Sequence, residues 1–156
     1  MKMILIDTQV LTFALKKIYI EVDNRELDLF IKAEELLRKT LDNERVLISG
    51  QLVVELYHVL TMRGRKIPRD HAVVLIKDLL EEKNVKYRDI QRNMITKAME
   101  LSAETGIHIW DFLVVLPFVN EIDTIYTTDP HFNNKKFTEY ATIENPLRIW
   151  RTEGAK

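Results

Sequence analysis

Four carboxylates in this chain of 156 residues occupy places where an acid needs a reason: Asp7, Glu55, Asp111 and Asp129. Asp7 closes the apolar run Ile4-Leu5-Ile6 and opens the helical pattern Thr8-Gln9-Val10-Leu11, so a helix N-cap would account for it alone. Glu55 sits in Leu52-Val53-Val54-Glu55-Leu56, at the border of an apolar stripe of Leu52, Val53, Leu56, Val59 and Leu60. Val54 beside it makes those surroundings drier than an ordinary surface, although a boundary glutamate reaching for solvent fits the pattern too. Asp111 is the most informative. In Ile109-Trp110-Asp111-Phe112-Leu113-Val114-Val115-Leu116 it is the one polar group of a segment apolar all round. Unless it is an N-cap, it needs a cation or donors, because an unpaired buried carboxylate costs several kcal/mol. Asp129 follows Ile125-Tyr126-Thr127-Thr128 and precedes Pro130, where a turn is the plain alternative.

Each acid has a dull explanation, but together they do not. Converging carboxylates repel unless cations neutralise them. All-oxygen ligands without thiolates suit Mg²⁺ or Mn²⁺ rather than zinc. Such ions hold a phosphodiester, activate water and stabilise a leaving oxygen, so the chemistry indicated is phosphoryl transfer or hydrolysis.

The elements that must bring these acids together are legible as periodicity. Strands are expected at Lys2 to Ile6, Arg45 to Ser49, Val85 to Ile90, Thr124 to Thr127 and Tyr140 to Ile143. Helices are expected from Thr8 towards Lys17, Glu26 to Leu41, Gln51 to Met62, Arg69 to Glu82 and Asn93 to Thr105, the last capped by Gly106. A further helix through Asp111 should kink or end near Leu116, because Pro117 follows. Short apolar strands alternating with longer helices imply an α/β domain with a mainly parallel central sheet flanked by helices. Sites in such sheets form beyond the carboxyl ends of the strands. Asp7 and Asp129 stand there.

Composition narrows the class. With 46% hydrophobic and 30% charged residues the chain reads as globular rather than disordered, and its length suits one domain. The longest apolar run, Phe112 to Val119, is far short of the roughly 20 residues that span a bilayer. The apolar start is interrupted by Asp7 and no small-residue cleavage site follows, so no signal peptide is expected and a cytoplasmic protein is. Cysteine is absent, which removes disulfides and thiolate chemistry. A net charge of −1 excludes a protein basic over its whole surface, so any nucleic-acid contact must be local. Arg63, Arg65, Lys66 and Arg69 form the best candidate patch, with smaller pairs at Lys16-Lys17 and Lys135-Lys136; an ordinary solvated turn or helix end explains each equally well.

The motifs also resemble a known family. Ile4-Leu5-Ile6-Asp7-Thr8-Gln9-Val10-Leu11 is similar to the opening strand and turn of PIN domains, and Ile48-Ser49-Gly50-Gln51-Leu52-Val53-Val54-Glu55 to their second motif. Trp110-Asp111-Phe112-Leu113-Val114 and Tyr126-Thr127-Thr128-Asp129-Pro130-His131-Phe132 resemble the third and fourth. The resemblance runs from about Lys2 to Pro146, implying a PIN-like nuclease domain over 1–146 and a C-terminal tail over 147–156. It implies an Mg²⁺- or Mn²⁺-dependent endoribonuclease, in the manner of VapC-type toxins of toxin–antitoxin pairs, with RNA as substrate, a small antitoxin as partner and a homodimeric state. Asp7, Glu55, Asp111 and Asp129 would be the metal-binding catalytic acids, and Thr8, Thr127 and Thr128 would orient a ligand or water. Two departures are visible: Gln9 stands where asparagine is commoner, and Phe-Leu-Val-Val-Leu-Pro follows Asp111 where many relatives carry small residues. His108 and His131 flank two acids, but Mg²⁺ chemistry does not require them; packing or hydrogen bonding is the expectation for His108, a solvated position for His58, and core or interface packing for Trp110 and Trp150. The competing readings are a non-catalytic RNA- or protein-binding domain of the same fold, and a phosphohydrolase or response-regulator-like domain. The second usually carries paired acids after its first strand, where Thr8-Gln9 offers none.

Overall fold

The structure is a computed structural model and describes residues 1–19 and 26–151. Five strands, β1 (Met3–Ile6), β2 (Arg45–Ser49), β3 (Val85–Arg88), β4 (Thr124–Tyr126) and β5 (Thr142–Glu144), form one sheet in the order β3-β2-β1-β4-β5. Every pairing is parallel. Ile4, Leu5, Ile6, Val46, Leu47 and Ile48 are all buried, which is why β1 and β2 read as continuous apolar runs rather than alternating ones. The edge strands Val-Lys-Tyr-Arg and Thr-Ile-Glu are partly exposed and polar, which discourages further pairing.

From β1 the chain builds outward through β2 to β3, then returns to lay β4 on the opposite side of β1. The order reverses between β1 and β4, and that reversal leaves a crevice at their carboxyl ends. Among the described residues the sheet is flanked by α1 (Thr8–Lys16), α2 (Leu27–Asn43), α3 (Gly50–Met62), α4 (Arg69–Glu81), α5 (Arg92–Thr105), α6 (Ile109–Val115) and α7 (Lys135–Thr138). The Ser49 hydroxyl caps α3 by accepting from the Leu52 N–H at 3.3 Å. Gly106 ends α5 at φ 76°, a left-handed position that favours glycine, its N–H reaching the Ser102 carbonyl. Helix α6 stops at Val115 and tightens into a 3-10 turn over Leu116–Phe118, as a proline at position 117 requires.

Some boundaries move. The strand expected over Tyr140 to Ile143 lies at Thr142–Glu144, because the Tyr140 and Ala141 N–H groups are taken by the Phe137 carbonyl. That carbonyl closes α7, a one-turn helix too short to show a period. Strand β3 ends at Arg88 instead of Ile90, where Asp89 accepts a hydrogen bond from the Tyr87 hydroxyl at 2.8 Å. Of the stretch expected to be a tail, Leu147 is buried and the Arg151 N–H donates to the Thr128 carbonyl at 2.8 Å. The Arg151 guanidinium meets Glu26 at 2.9 Å; residues 152–156 lie outside the described residues.

Candidate active site

The crevice between β1 and β4 collects the acids. Asp7 caps α1 while only 2% exposed: one carboxylate oxygen accepts from the Thr8 N–H at 2.7 Å, the other from the Thr127 hydroxyl at 2.8 Å. The same Thr127 hydroxyl accepts from the Asp129 N–H at 2.9 Å, joining the end of β1 to the segment after β4. Asp129, 1% exposed, caps the 3-10 turn Pro130–Asn133 by accepting from the His131 N–H at 2.9 Å. The turn reading was therefore right about Asp129 without being the whole of it.

Asp111 is no N-cap. His108 holds that position, and Asp111 stands in the first turn of α6, 8% exposed, where the helix dipole favours an anion. Glu55 is half-buried on α3 and accepts from the Thr8 hydroxyl at 3.1 Å, which ties α3 to α1. Its neighbour Val54 is 66% exposed, so the dry surroundings expected there are absent. The outward turn of α3 puts Val54 towards solvent, while Leu52, Leu56 and Leu60 face the core.

His131 is the residue that sequence reasoning set aside. Its Nδ1 lies 3.6 Å from Asp129 Oδ1 and 3.9 Å from Asp111 Oδ2. One donor atom from each of Asp111, Asp129 and His131 falls within 4.8 Å of the others. Two ligands bound about 2.1 Å from one octahedral ion stand about 3 to 4 Å apart, so the spacing fits a shared divalent cation. The signal that could have found His131 is its place two residues after Asp129 in a proline-initiated turn, which folds both side chains to one side. Asp7 is joined to Asp129 through the Thr127 hydroxyl, and Glu55 is joined to Asp7 through Thr8, whose hydroxyl meets the glutamate and whose N–H meets the aspartate.

The three threonines were expected to orient a ligand or water. In this structure their hydroxyls bond to protein side chains: Thr8 holds Glu55, Thr127 holds Asp7, and Thr128 donates to Gln9 Oε1 at 2.6 Å. Gln9 is fully buried, so the longer amide reaches across to the end of β4. On β4, burial raises the Tyr126 phenol above its ordinary pKa, and Glu144 and Glu44 add to the rise.

An open cavity of about 430 Å³ lies against the acids, with Glu55, Asp111, Asp129 and His131 in its wall. Val54, Val59, Trp110, His58, His108 and Arg63 also line it. Trp110 is therefore not a core residue, being 51% exposed, and neither is Trp150. His108 is exposed rather than packed; His58 is exposed, as expected, but at the cavity. Arg63, Arg65, Lys66 and Arg69 are exposed around the turn between α3 and α4, and only Arg63 reaches the cavity. Lys16 departs from its expected solvated place: 4% exposed, it donates from Nζ to the Arg63 carbonyl at 2.6 Å.

No protein-family model and no curated protein matches the chain. Solved structures do. A chain of VapBC2 from Rickettsia felis, bound to a DNA fragment from its promoter, aligns with a TM-score of 0.57 at 15% identity, over 92% of this chain and 98% of that one. The Mycobacterium tuberculosis toxin VapC20, described as cleaving the sarcin-ricin loop, aligns with a TM-score of 0.61 at 16% identity, over 83% of this chain and 92% of the other. The fold is that of a VapC-type PIN domain. FitAB bound to the IR36 DNA fragment aligns at a TM-score of 0.50 and 14% identity, over 95% of this chain and 98% of that chain. At such identities the likeness concerns the backbone fold, and the same fold can carry different sites.

Proposed function

We propose that this protein is an Mg²⁺- or Mn²⁺-dependent endoribonuclease that hydrolyses RNA phosphodiesters as the toxin of a toxin–antitoxin pair. The observation that carries the reading is the convergence of Asp111, Asp129 and His131 donor atoms within 4.8 Å, at the crevice where the strand order reverses. Asp7, Glu55, Asp111 and Asp129 are the acids assigned to hold the metal, and His131 joins them. When bound, a divalent ion supplies charge against the scissile phosphate and lowers the pKa of the attacking water. The chain's own contribution is positioning. Thr127 fixes Asp7, Thr8 fixes Glu55, and the Asp129 cap sets the turn that presents His131. Arg63, Arg65, Lys66 and Arg69, beyond the carboxyl end of α3, offer charge to the RNA backbone, with Arg63 at the cavity itself.

The RNA-cleaving description of VapC20 supports the substrate class, and the two-component complexes of VapBC2 and FitAB support a small antitoxin as partner. Exposed apolar side chains on α3 (Val54, Met62), α4 (Val73, Val74) and α5 (Ile95, Met99) give an antitoxin or a second copy surface to cover, in keeping with a homodimer. No described helix is long and apolar enough to cross a membrane, and the cytoplasm is the compartment proposed.

The test is cleavage of a structured RNA mixture in Mn²⁺, beside EDTA and Asp111→Asn. The reading requires cutting by the parent protein and its loss in both controls. Cutting that survives Asp111→Asn would place the chemistry elsewhere.

A further inference from the structure

We infer that the cavity beside the acids seats one unstacked nucleobase of single-stranded RNA against the indole of Trp110. The inference deepens the ribonuclease reading and rests on it for the phosphate's place. One wall of the cavity carries Asp111, Asp129 and His131; the rest includes the apolar side chains of Val54, Val59 and Trp110. A nucleotide has the same two-part chemistry, an anionic phosphate joined through a sugar to a flat apolar ring.

Trp110 is the second residue of α6, whose next residues, Asp111 to Val115, are all buried, yet its own side chain is 51% exposed and lines the cavity. An indole in an open concave wall is a ready stacking platform, since every base offers a π-face. Arg63 also lines the cavity, so the neighbouring phosphate of the strand meets a cation there. A paired base within a helix is stacked on both sides and cannot enter such a recess, so the segment bound here is unpaired. Trp110 is then a residue that selects RNA conformation, and the acids act on the phosphate beside the splayed base.

The experiment uses a Trp150→Phe background, in which Trp110 is the only indole. Its fluorescence is read on mixing, in Mg²⁺, with short single-stranded RNA of random sequence, with a duplex of equal length, and with an abasic oligomer of the same backbone. Quenching by the single strand, but by neither of the others, is the expected result. In cleavage assays Trp110→Ala raises KM roughly tenfold with kcat little changed, and Trp110→Phe restores most of the loss. Quenching by the abasic oligomer equal to that of the single strand overturns the inference, as does an unchanged KM in Trp110→Ala. The two readings fail separately. Single-strand quenching without any cutting removes the hydrolysis and keeps the base pocket, whereas cutting with an unquenched Trp110 does the reverse.

Discussion

Thr127 shows how much of this site depends on one buried hydroxyl. Its hydroxyl donates to Asp7 and accepts from the Asp129 N–H, so one buried atom sets the position of two acids that come from opposite ends of the chain. Thr127→Val keeps the shape and deletes both bonds. Removing a partner that orients a metal-holding side chain costs about 10- to 100-fold in metal affinity or activity, and that is the expected fall in cleavage rate. Mn²⁺ titration and the RNA assay measure it, and a melting temperature within a few degrees of the parent shows that the fold survived. His131→Ala tests the imidazole in a different way. With Asp111 and Asp129 retained, Mn²⁺ binding should weaken about tenfold or more, and equal Mn²⁺ affinity in the two proteins would exclude His131 from the donor set.

At the scale of elements, an aromatic stack sets the distance between the two halves of the donor group. Phe112 of α6 lies on Phe137 of α7, ring centroids 4.6 Å apart and nearly parallel, and Phe132 packs on Phe137 at the same distance. Asp111 and His131 are the immediate neighbours of Phe112 and Phe132, so Phe137 spaces them. Phe137→Ala should cost about 3 to 5 kcal/mol in chemical denaturation, and cleavage should fall even where the protein remains folded. Elsewhere, Lys86 and Arg88 of β3 reach Glu121 at 2.9 and 3.1 Å. Lys86 and, after it, Arg88 hold the Glu121 carboxyl below its ordinary pKa despite the opposing effect of burial. A carboxyl depressed on folding contributes its stability above the ordinary carboxylate range and loses it as pH falls through the lowered value. Glu121→Gln should therefore lower the melting temperature at neutral pH by an amount reflecting about 1 kcal/mol or less, with the difference vanishing in acid.

The same elements explain what the sequence could disclose. The parallel sheet was legible because strands buried on both faces must be continuously apolar, and α5 was legible because Gly106 marks its end. The four acids were visible as carboxylates at strand ends or on apolar helices. What stayed hidden was short or long-range. One turn of helix at Lys135–Thr138 has no period to detect, and it displaced the last strand by two residues at its start. His131 joins the acids through a turn and the Phe112–Phe137 contact, and that contact spans chain distances no local pattern covers. Lys16 read as a solvated helix end because its acceptor, the Arg63 carbonyl, is 47 residues away.

For the molecule as a whole, the proposed metal site carries a consequence for stability, because a cation held by acids from several elements would bind the folded state alone. A ligand that binds only the native state at about 100 times its Kd stabilises it by about 2.7 kcal/mol, so Mn²⁺ should raise the melting temperature of the parent and EDTA should reverse the rise. Asp129→Asn should blunt that response, and an equal shift in both proteins would show that Mn²⁺ acts at some other place. The sheet order has a consequence in time as well as in space. Strand β1 pairs with β4, and Asp7 meets its Thr127 partner only when more than a hundred intervening residues have been made. A chain emerging from the ribosome, amino end first, carries Asp7 early and Asp129 late. Until β4 and the residues after it are made, the nascent chain lacks both Asp129 and the Thr127 hydroxyl that holds Asp7, so a product that stops before β4 cannot assemble this group of acids.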